Sequence, residues 1–66
     1  MNIIVNGDER ACDEGATIGS FLEARNLPSK MVVVEHNGVI VSRNRYDEIG
    51  LSEGDVLEIV QMMAGG

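Results

Sequence analysis

The 66-residue chain is poor in several residue types that stabilise or equip small proteins. It contains one cysteine, one proline, one histidine, one tyrosine, one phenylalanine and no tryptophan. The single cysteine, Cys12, excludes an internal disulfide and is typical of proteins from a reducing cytoplasm. A chain of this length buries only about 60% of its unfolded surface, so the sequence predicts a single domain with one thin core.

Basic residues are scarce as well, with five Lys and Arg against eleven Asp and Glu and a formal charge of −6. The phosphate backbone of a nucleic acid repels such an acidic chain. The only two aromatic residues, Phe21 and Tyr46, are too few to form a stacking platform for bases. Nucleic acid is therefore not an expected partner. An acidic domain is instead suited to protein partners that present basic surfaces.

Long apolar runs are also missing. The longest, Met31–Val34, is far shorter than a membrane-spanning segment. The amino terminus has neither the charged nor the apolar region of a signal peptide. These features predict a soluble, cytoplasmic protein with no membrane partner.

Two Asn-Gly pairs are the clearest structural signals, because this dipeptide favours the tight turns of β-hairpins. Asn6-Gly7 and Asn37-Gly38 each lie between segments of strand-like composition. The predicted strands cover residues 2–6, 9–13, 31–36, 39–41 and 56–62. Residues 42–50 are predicted to lack regular secondary structure, with the side chains of Tyr46 and Ile49 directed toward the core.

One helix is predicted after Thr17, whose hydroxyl can cap the first turn. Ile18, Phe21 and Leu22 form an apolar stripe at helical spacing, and Pro28 is expected to end the helix. The element order is then β-β-α-β-β-β, an α+β class in which the helix packs across a mixed sheet of about five strands. With the first and last strands both central, this is the β-grasp (ubiquitin-like) roll.

Catalytic and metal-binding groupings are not apparent. His36 and Cys12 are far apart in sequence and do not have metal-ligand spacing, so His36 is interpreted as a solvated hairpin residue. Glu53, Asp55 and Glu58 are interpreted as side chains of one solvent-exposed face. The sequence predicts no enzyme, no metal site and no cofactor bound by the domain itself.

The last strand suggests a contact surface. If Leu57 and Ile59 face the core, the opposite face carries Ile4, Glu58, Val60 and Met62. Exposed apolar residues on an uncovered sheet face are typical of a docking surface. High β-propensity on a small sheet would give the same pattern, and both interpretations stay open at this point.

The chain ends in Ala64-Gly65-Gly66, within a tail over residues 63–66 that is expected to be flexible. Glycines lack a Cβ, so such a tail can thread a narrow channel. A free Gly66 carboxylate can be activated as an acyl-adenylate and then attacked by a nucleophile.

Together these segments resemble the bacterial sulfur carrier proteins of thiamine biosynthesis, the ubiquitin-like ThiS family. The resemblance rests on residues 1–7, 17–22, 32–38, 45–46, 51–60 and 64–66, of which LSEGDVLEIV at residues 51–60 and the Ala-Gly-Gly ending are the most specific. Ser20 departs from the family pattern, which often has an acidic residue there to complete a capping box. That difference predicts a less stable helix start.

The resemblance implies a carrier mechanism centred on Gly66. The Gly66 carboxylate would be adenylated by ATP, with Mg, in an activating enzyme related to ubiquitin-activating enzymes. A sulfur donor such as a cysteine desulfurase would supply a persulfide and leave a thiocarboxylate on Gly66. Thiazole synthase would accept that sulfur, with Ala64, Gly65 and Gly66 threaded into the partner sites. A monomer is expected for the free carrier.

Other functions fit the same sequence. The small subunit of molybdopterin synthase shares the fold and the Gly-Gly ending but is typically longer. A non-carrier β-grasp binding module would not need the tail, and a protein-conjugating modifier would form adducts on lysines. The residues alone leave open the sulfur donor, the docking face, any role of Cys12 and the choice of pathway.

Overall fold

The computed structural model describes residues 1–62, which form one mixed five-stranded sheet in the order β2-β1-β5-β3-β4. The helices and strands are β1 (Asn2–Val5), β2 (Asp8–Ala11), α1 (Ile18–Ala24), β3 (Val32–His36), β4 (Val39–Val41) and β5 (Val56–Gln61). Short 3₁₀ turns cover Ser29–Met31 and Arg43–Arg45. The central strand β5 runs parallel to β1 and antiparallel to β3, which confirms the predicted β-grasp arrangement.

Both predicted hairpin turns are present. Asn6 and Gly7 have φ values of 50° and 87°, and Asn37 and Gly38 have values of 51° and 86°. Positive φ at two successive positions defines a type I′ turn, which asparagine and glycine adopt at low cost. The local sequence therefore determines both hairpins.

The start of α1 is better capped than the sequence indicated. The Thr17 hydroxyl accepts a hydrogen bond from the Ser20 amide at 3.0 Å, and the Ser20 hydroxyl accepts one from the Thr17 amide at 2.9 Å. These reciprocal bonds form a complete capping box. The expectation that Ser20 weakens the helix start was wrong, because serine performs the role expected of an acidic side chain.

The helix also ends earlier than Pro28 would require. Asn26 adopts a left-handed φ of 57°, and the Leu27 amide donates to the Leu22 carbonyl at 2.9 Å. The Asn26 amide donates to the Glu23 carbonyl at 3.0 Å. This is a Schellman-type ending, in which the left-handed residue terminates the helix before the proline is reached.

Gly19 is the point at which α1 contacts the segment after β4. Its amide donates to the Tyr46 carbonyl at 2.9 Å, and a Cβ at this position would collide with the Asp47 carboxylate. Because that carboxylate is the movable end of an exposed side chain, it could shift to admit a Cβ, and the contact is held by the backbone hydrogen bond.

The core lies between α1 and one face of the sheet. Ile18, Phe21 and Leu22 supply the buried stripe of α1, as predicted, and Tyr46 is buried with half-buried Ile49 packed against the core. The sheet side of the core consists of Ile3, Val5, Val32, Val34, Val41, Leu57 and Ile59, with Leu51 from the turn before β5. No helix within residues 1–62 is long and apolar enough to cross a membrane.

Candidate docking face and the carboxyl-terminal strand

The central strand β5 presents two different faces. Leu57 and Ile59 are buried under α1, whereas Glu58, Val60 and Met62 point to the uncovered side. Val60 is 63% exposed and Met62 is 44% exposed. The predicted alternation is confirmed, while the role of these residues in docking stays a prediction.

Neighbouring strands extend this uncovered face, here named the open face. Ile4 of β1, which is half-buried, pairs with Val56 of β5, and Val33 of β3 lies opposite Val60. Between these two apolar pairs, Glu35 of β3 lies opposite Glu58. The sequence pattern predicts Ile4 on this face but not Glu35 or Val56, because only the strand register shows which residues become neighbours.

The start of β5 is held by a polar cluster that joins it to the β3–β4 turn. His36 Nε2 donates to Asp55 Oδ2 at 2.8 Å, and Asn37 Nδ2 donates to Asp55 Oδ1 at 3.2 Å. The Ser52 amide donates to the same carboxylate at 2.9 Å, and the Val56 amide donates to Asn37 Oδ1 at 2.8 Å. His36 is therefore a half-buried, paired residue and not the solvated hairpin residue that the sequence suggested.

The cluster sets the ionisation of Asp55. Partial burial alone would raise the pKa of Asp55, but hydrogen bonds from His36, the Ser52 amide and Asn37 outweigh it and lower that pKa below its ordinary value. Its side chain is 14% exposed. The folded structure thus stabilises the ionised, carboxylate form of Asp55.

We expect Asp55→Asn to reduce the acid sensitivity of folding. A carboxyl whose pKa is lowered by folding stabilises the protein above its unfolded pKa, and that contribution is lost as the pH falls through the folded pKa. In urea titrations at a series of pH values from neutral to acid, the variant should be less stable near neutrality and should lose less stability below about pH 4. His36→Gln removes one donor and should give an intermediate slope. A variant with the wild-type slope would contradict this role for Asp55.

The end of β5 is held by a different set of contacts. Asn6 Oδ1 accepts a hydrogen bond from the Ile59 amide at 2.7 Å, and Asn6 Nδ2 donates to the Ile59 carbonyl at 3.0 Å. The Met62 amide donates to the Met31 carbonyl at 2.6 Å. The strand is therefore fixed up to Met62, the last residue that the structure describes. The predicted tail residues Ala64, Gly65 and Gly66 lie outside the described residues.

Cys12 lies just after β2, where its amide donates to the Met1 carbonyl at 2.8 Å. Burial, assisted by the charge of Asp13, raises the pKa of the Cys12 thiol. A raised pKa reduces the thiolate fraction and so does not favour a nucleophilic role. Within residues 1–62, no group of three or more His, Cys, Asp or Glu side chains is placed to hold a metal ion.

Comparison with known proteins assigns the family. The family model described as "ThiS family" matches residues 3–66. The chain is 42% identical over 50 residues to sulfur carrier protein ThiS of Bacillus subtilis, an alignment that covers 76% of each protein. It is also 35% identical over all 66 residues to a thiazole synthase of Paramagnetospirillum magneticum, of which it spans only 20%.

A solved structure supports the same assignment. The crystal structure of thiamine biosynthesis protein ThiS from Geobacter metallireducens superposes with a TM-score of 0.84 and 32% sequence identity, and the alignment covers all of both chains. The family match and the name of the Bacillus subtilis relative, a sulfur carrier protein, support the prediction that the domain is not itself an enzyme. The chain belongs to the ThiS family of sulfur carrier proteins in thiamine biosynthesis.

Proposed function

We propose that this carrier transports sulfur as a thiocarboxylate on Gly66. The Gly66 carboxylate attacks the α-phosphate of ATP and releases pyrophosphate, which gives an acyl-adenylate. The terminal sulfur of a persulfide then displaces AMP, and a second thiol cleaves the sulfur–sulfur bond to leave the thiocarboxylate. Activation is needed because a free carboxylate has no good leaving group, whereas the adenylate releases AMP.

The observation that best supports this proposal is the way β5 is held. The strand is central, is bonded to both neighbours, and remains fixed to Met62 through the Met31 carbonyl. Gly66 is only the fourth residue after Met62. An extended residue spans about 3.5 Å, so Gly66 lies within about 14 Å of Met62. A partner that binds the open face would therefore have the reacting carboxylate close to a fixed part of the strand.

Three kinds of protein partner follow from the proposal. An adenylating enzyme of the ubiquitin-activating type uses ATP with Mg, and a persulfide donor such as a cysteine desulfurase supplies sulfur. Thiazole synthase accepts it, and a relative of that name contains a segment that matches the whole chain. We assign docking to the open face through Ile4, Glu58, Val60 and Met62, and we place these reactions in the cytoplasm.

Intact-mass spectrometry tests the carrier function directly. The carrier is incubated with ATP, Mg, the activating enzyme and a persulfide donor. We expect a mass increase equal to the difference between sulfur and oxygen, and fragmentation should locate it on Gly66. Omission of ATP is the control and should give no increase. An unchanged mass in the complete mixture would refute the proposal.

The choice of pathway is tested separately by adding the loaded carrier to each acceptor. Sulfur transfer to thiazole synthase is the expected result. Stable pairing with the large subunit of a molybdopterin synthase, and no transfer to thiazole synthase, would contradict the thiamine assignment.

A further inference from the structure

Two carboxylates face each other on the open face. Glu35 of β3 and Glu58 of β5 are directly opposite in an antiparallel register. Side chains at such positions have Cβ atoms about 5 Å apart and project from the same side of the sheet. Glu58 is exposed and Glu35 is half-buried.

The pair is not neutralised within the described part of the chain. None of the ion pairs within residues 1–62 includes Glu35 or Glu58; they join the Met1 amino group to Glu14, Arg10 to Asp8, His36 to Asp55 and Arg45 to Glu48. Like charges directly opposite each other on a sheet destabilise it. The folded carrier therefore keeps a repulsive pair at the centre of its open face.

Apolar residues surround the pair. Val33 and Val60 form the next cross-strand pair on the open face, and Ile40 of β4 lies opposite Glu35 and is 68% exposed. A partner that covers these apolar side chains would exclude water from the carboxylates. Exclusion of water strengthens their attraction for a cation and raises the cost of leaving them unpaired.

We propose that the Glu35–Glu58 pair is the receptor for one arginine side chain of thiazole synthase. A guanidinium is planar, carries five donors and can bond both carboxylates at once, while its flat surface packs against Val60 and Ile40. A second copy of this chain does not fit, since it brings a further pair of carboxylates and a charge of −6. This inference rests on the proposed function, and thiazole synthase is chosen among the partners because two relatives of that name contain a segment that matches the whole chain.

The test compares two variants that each lose two negative charges. Glu35→Gln/Glu58→Gln removes the pair, whereas Asp13→Asn/Glu23→Gln removes exposed charges beside and on α1, away from the open face. Binding to purified thiazole synthase is measured by surface plasmon resonance at several salt concentrations. Thermal unfolding of each free carrier is recorded in parallel.

Removal of the Glu35–Glu58 pair should weaken binding to thiazole synthase and raise the thermal stability of the free carrier. Loss of the pair should weaken binding about 10- to 100-fold, and the remaining affinity should depend less on salt. The same variant should unfold at a temperature about 1–6 °C higher, because the repulsion is relieved. The α1-side variant should bind as the wild type does, apart from a small loss of association rate at low salt.

Equal affinities and equal salt dependence of the wild type and the Glu35→Gln/Glu58→Gln variant would overturn the inference. So would an equal loss of affinity in the α1-side variant, because the effect would then reflect overall charge. A wild-type carrier that gains sulfur but does not bind thiazole synthase would also overturn it, while the carrier function would stand. Absence of sulfur loading in the wild type refutes the carrier function itself.

Discussion

Deletion of Gly66 is expected to abolish the sulfur-dependent mass increase. Under the proposed mechanism the reacting carboxylate then belongs to Gly65, about 3.5 Å short of the position that the activating enzyme serves. A displacement of about 1 Å can already reduce a reaction about 100-fold, because the reacting atoms must be almost in contact. Intact-mass spectrometry with ATP, Mg, the activating enzyme and a persulfide donor measures the result.

The fold provides the control for this deletion. Every core residue identified in the structure lies between Ile3 and Ile59, so the shortened protein should keep the wild-type unfolding temperature. Gly66→Ala is a useful second variant, since it restores the length but adds a Cβ beside the reacting carbonyl. We expect it to load sulfur slowly. A deletion variant that loads sulfur at the wild-type rate would show that Gly66 is not the attachment site.

The features that the sequence predicted correctly are governed by local rules. Asn6-Gly7 and Asn37-Gly38 specify their turns through backbone conformations that few other dipeptides adopt. The apolar stripe of α1 and the alternation in β5 follow from helix and strand periodicity.

The features that it missed depend on how separate elements meet. The Glu35–Glu58 pair exists only in the observed register of β3 and β5, which periodicity does not determine. The pairing of His36 with Asp55 joins residues 19 positions apart and requires the β3–β4 turn to lie against the start of β5. Alternation predicted the open face itself, but its charge pattern became visible only with the topology.

Asn6 has both a local role as a turn residue, which the sequence predicted, and a long-range contact with β5, which it did not. The parallel ladder between β1 and β5 includes a hydrogen bond from the Asn6 amide to the Leu57 carbonyl at 2.9 Å. At Asn6 the chain turns away toward β2, and its side-chain amide then bonds both backbone groups of Ile59. The Asn6 side chain thus continues the hydrogen bonding to β5 beyond the point at which the backbone of β1 turns away. The sequence indicated only a turn residue at this position.

We therefore expect Asn6→Ala to cost about 2–5 kcal/mol of the free energy of unfolding. Loss of the side chain leaves the Ile59 amide and carbonyl without these partners, at about 1–3 kcal/mol. Alanine at a φ of 50° adds about 1–2 kcal/mol of backbone strain. A chain of this length has a total stability of only about 3–10 kcal/mol, so a large part of it depends on Asn6.

Two further substitutions separate the causes. Asn6→Gly removes the hydrogen bonds but tolerates the left-handed conformation, so it should be about 1–2 kcal/mol more stable than Asn6→Ala. Asn6→Asp keeps an acceptor for the Ile59 amide but replaces the donor by an oxygen that faces the Ile59 carbonyl, so it should recover only part of the loss. Urea unfolding gives the free energies, and hydrogen exchange at the Ile59 amide reports on the bond itself. If Asn6→Gly were as stable as the wild type and exchange at Ile59 were unchanged, the side chain would not hold β5, and the fixed origin of the tail would need another explanation.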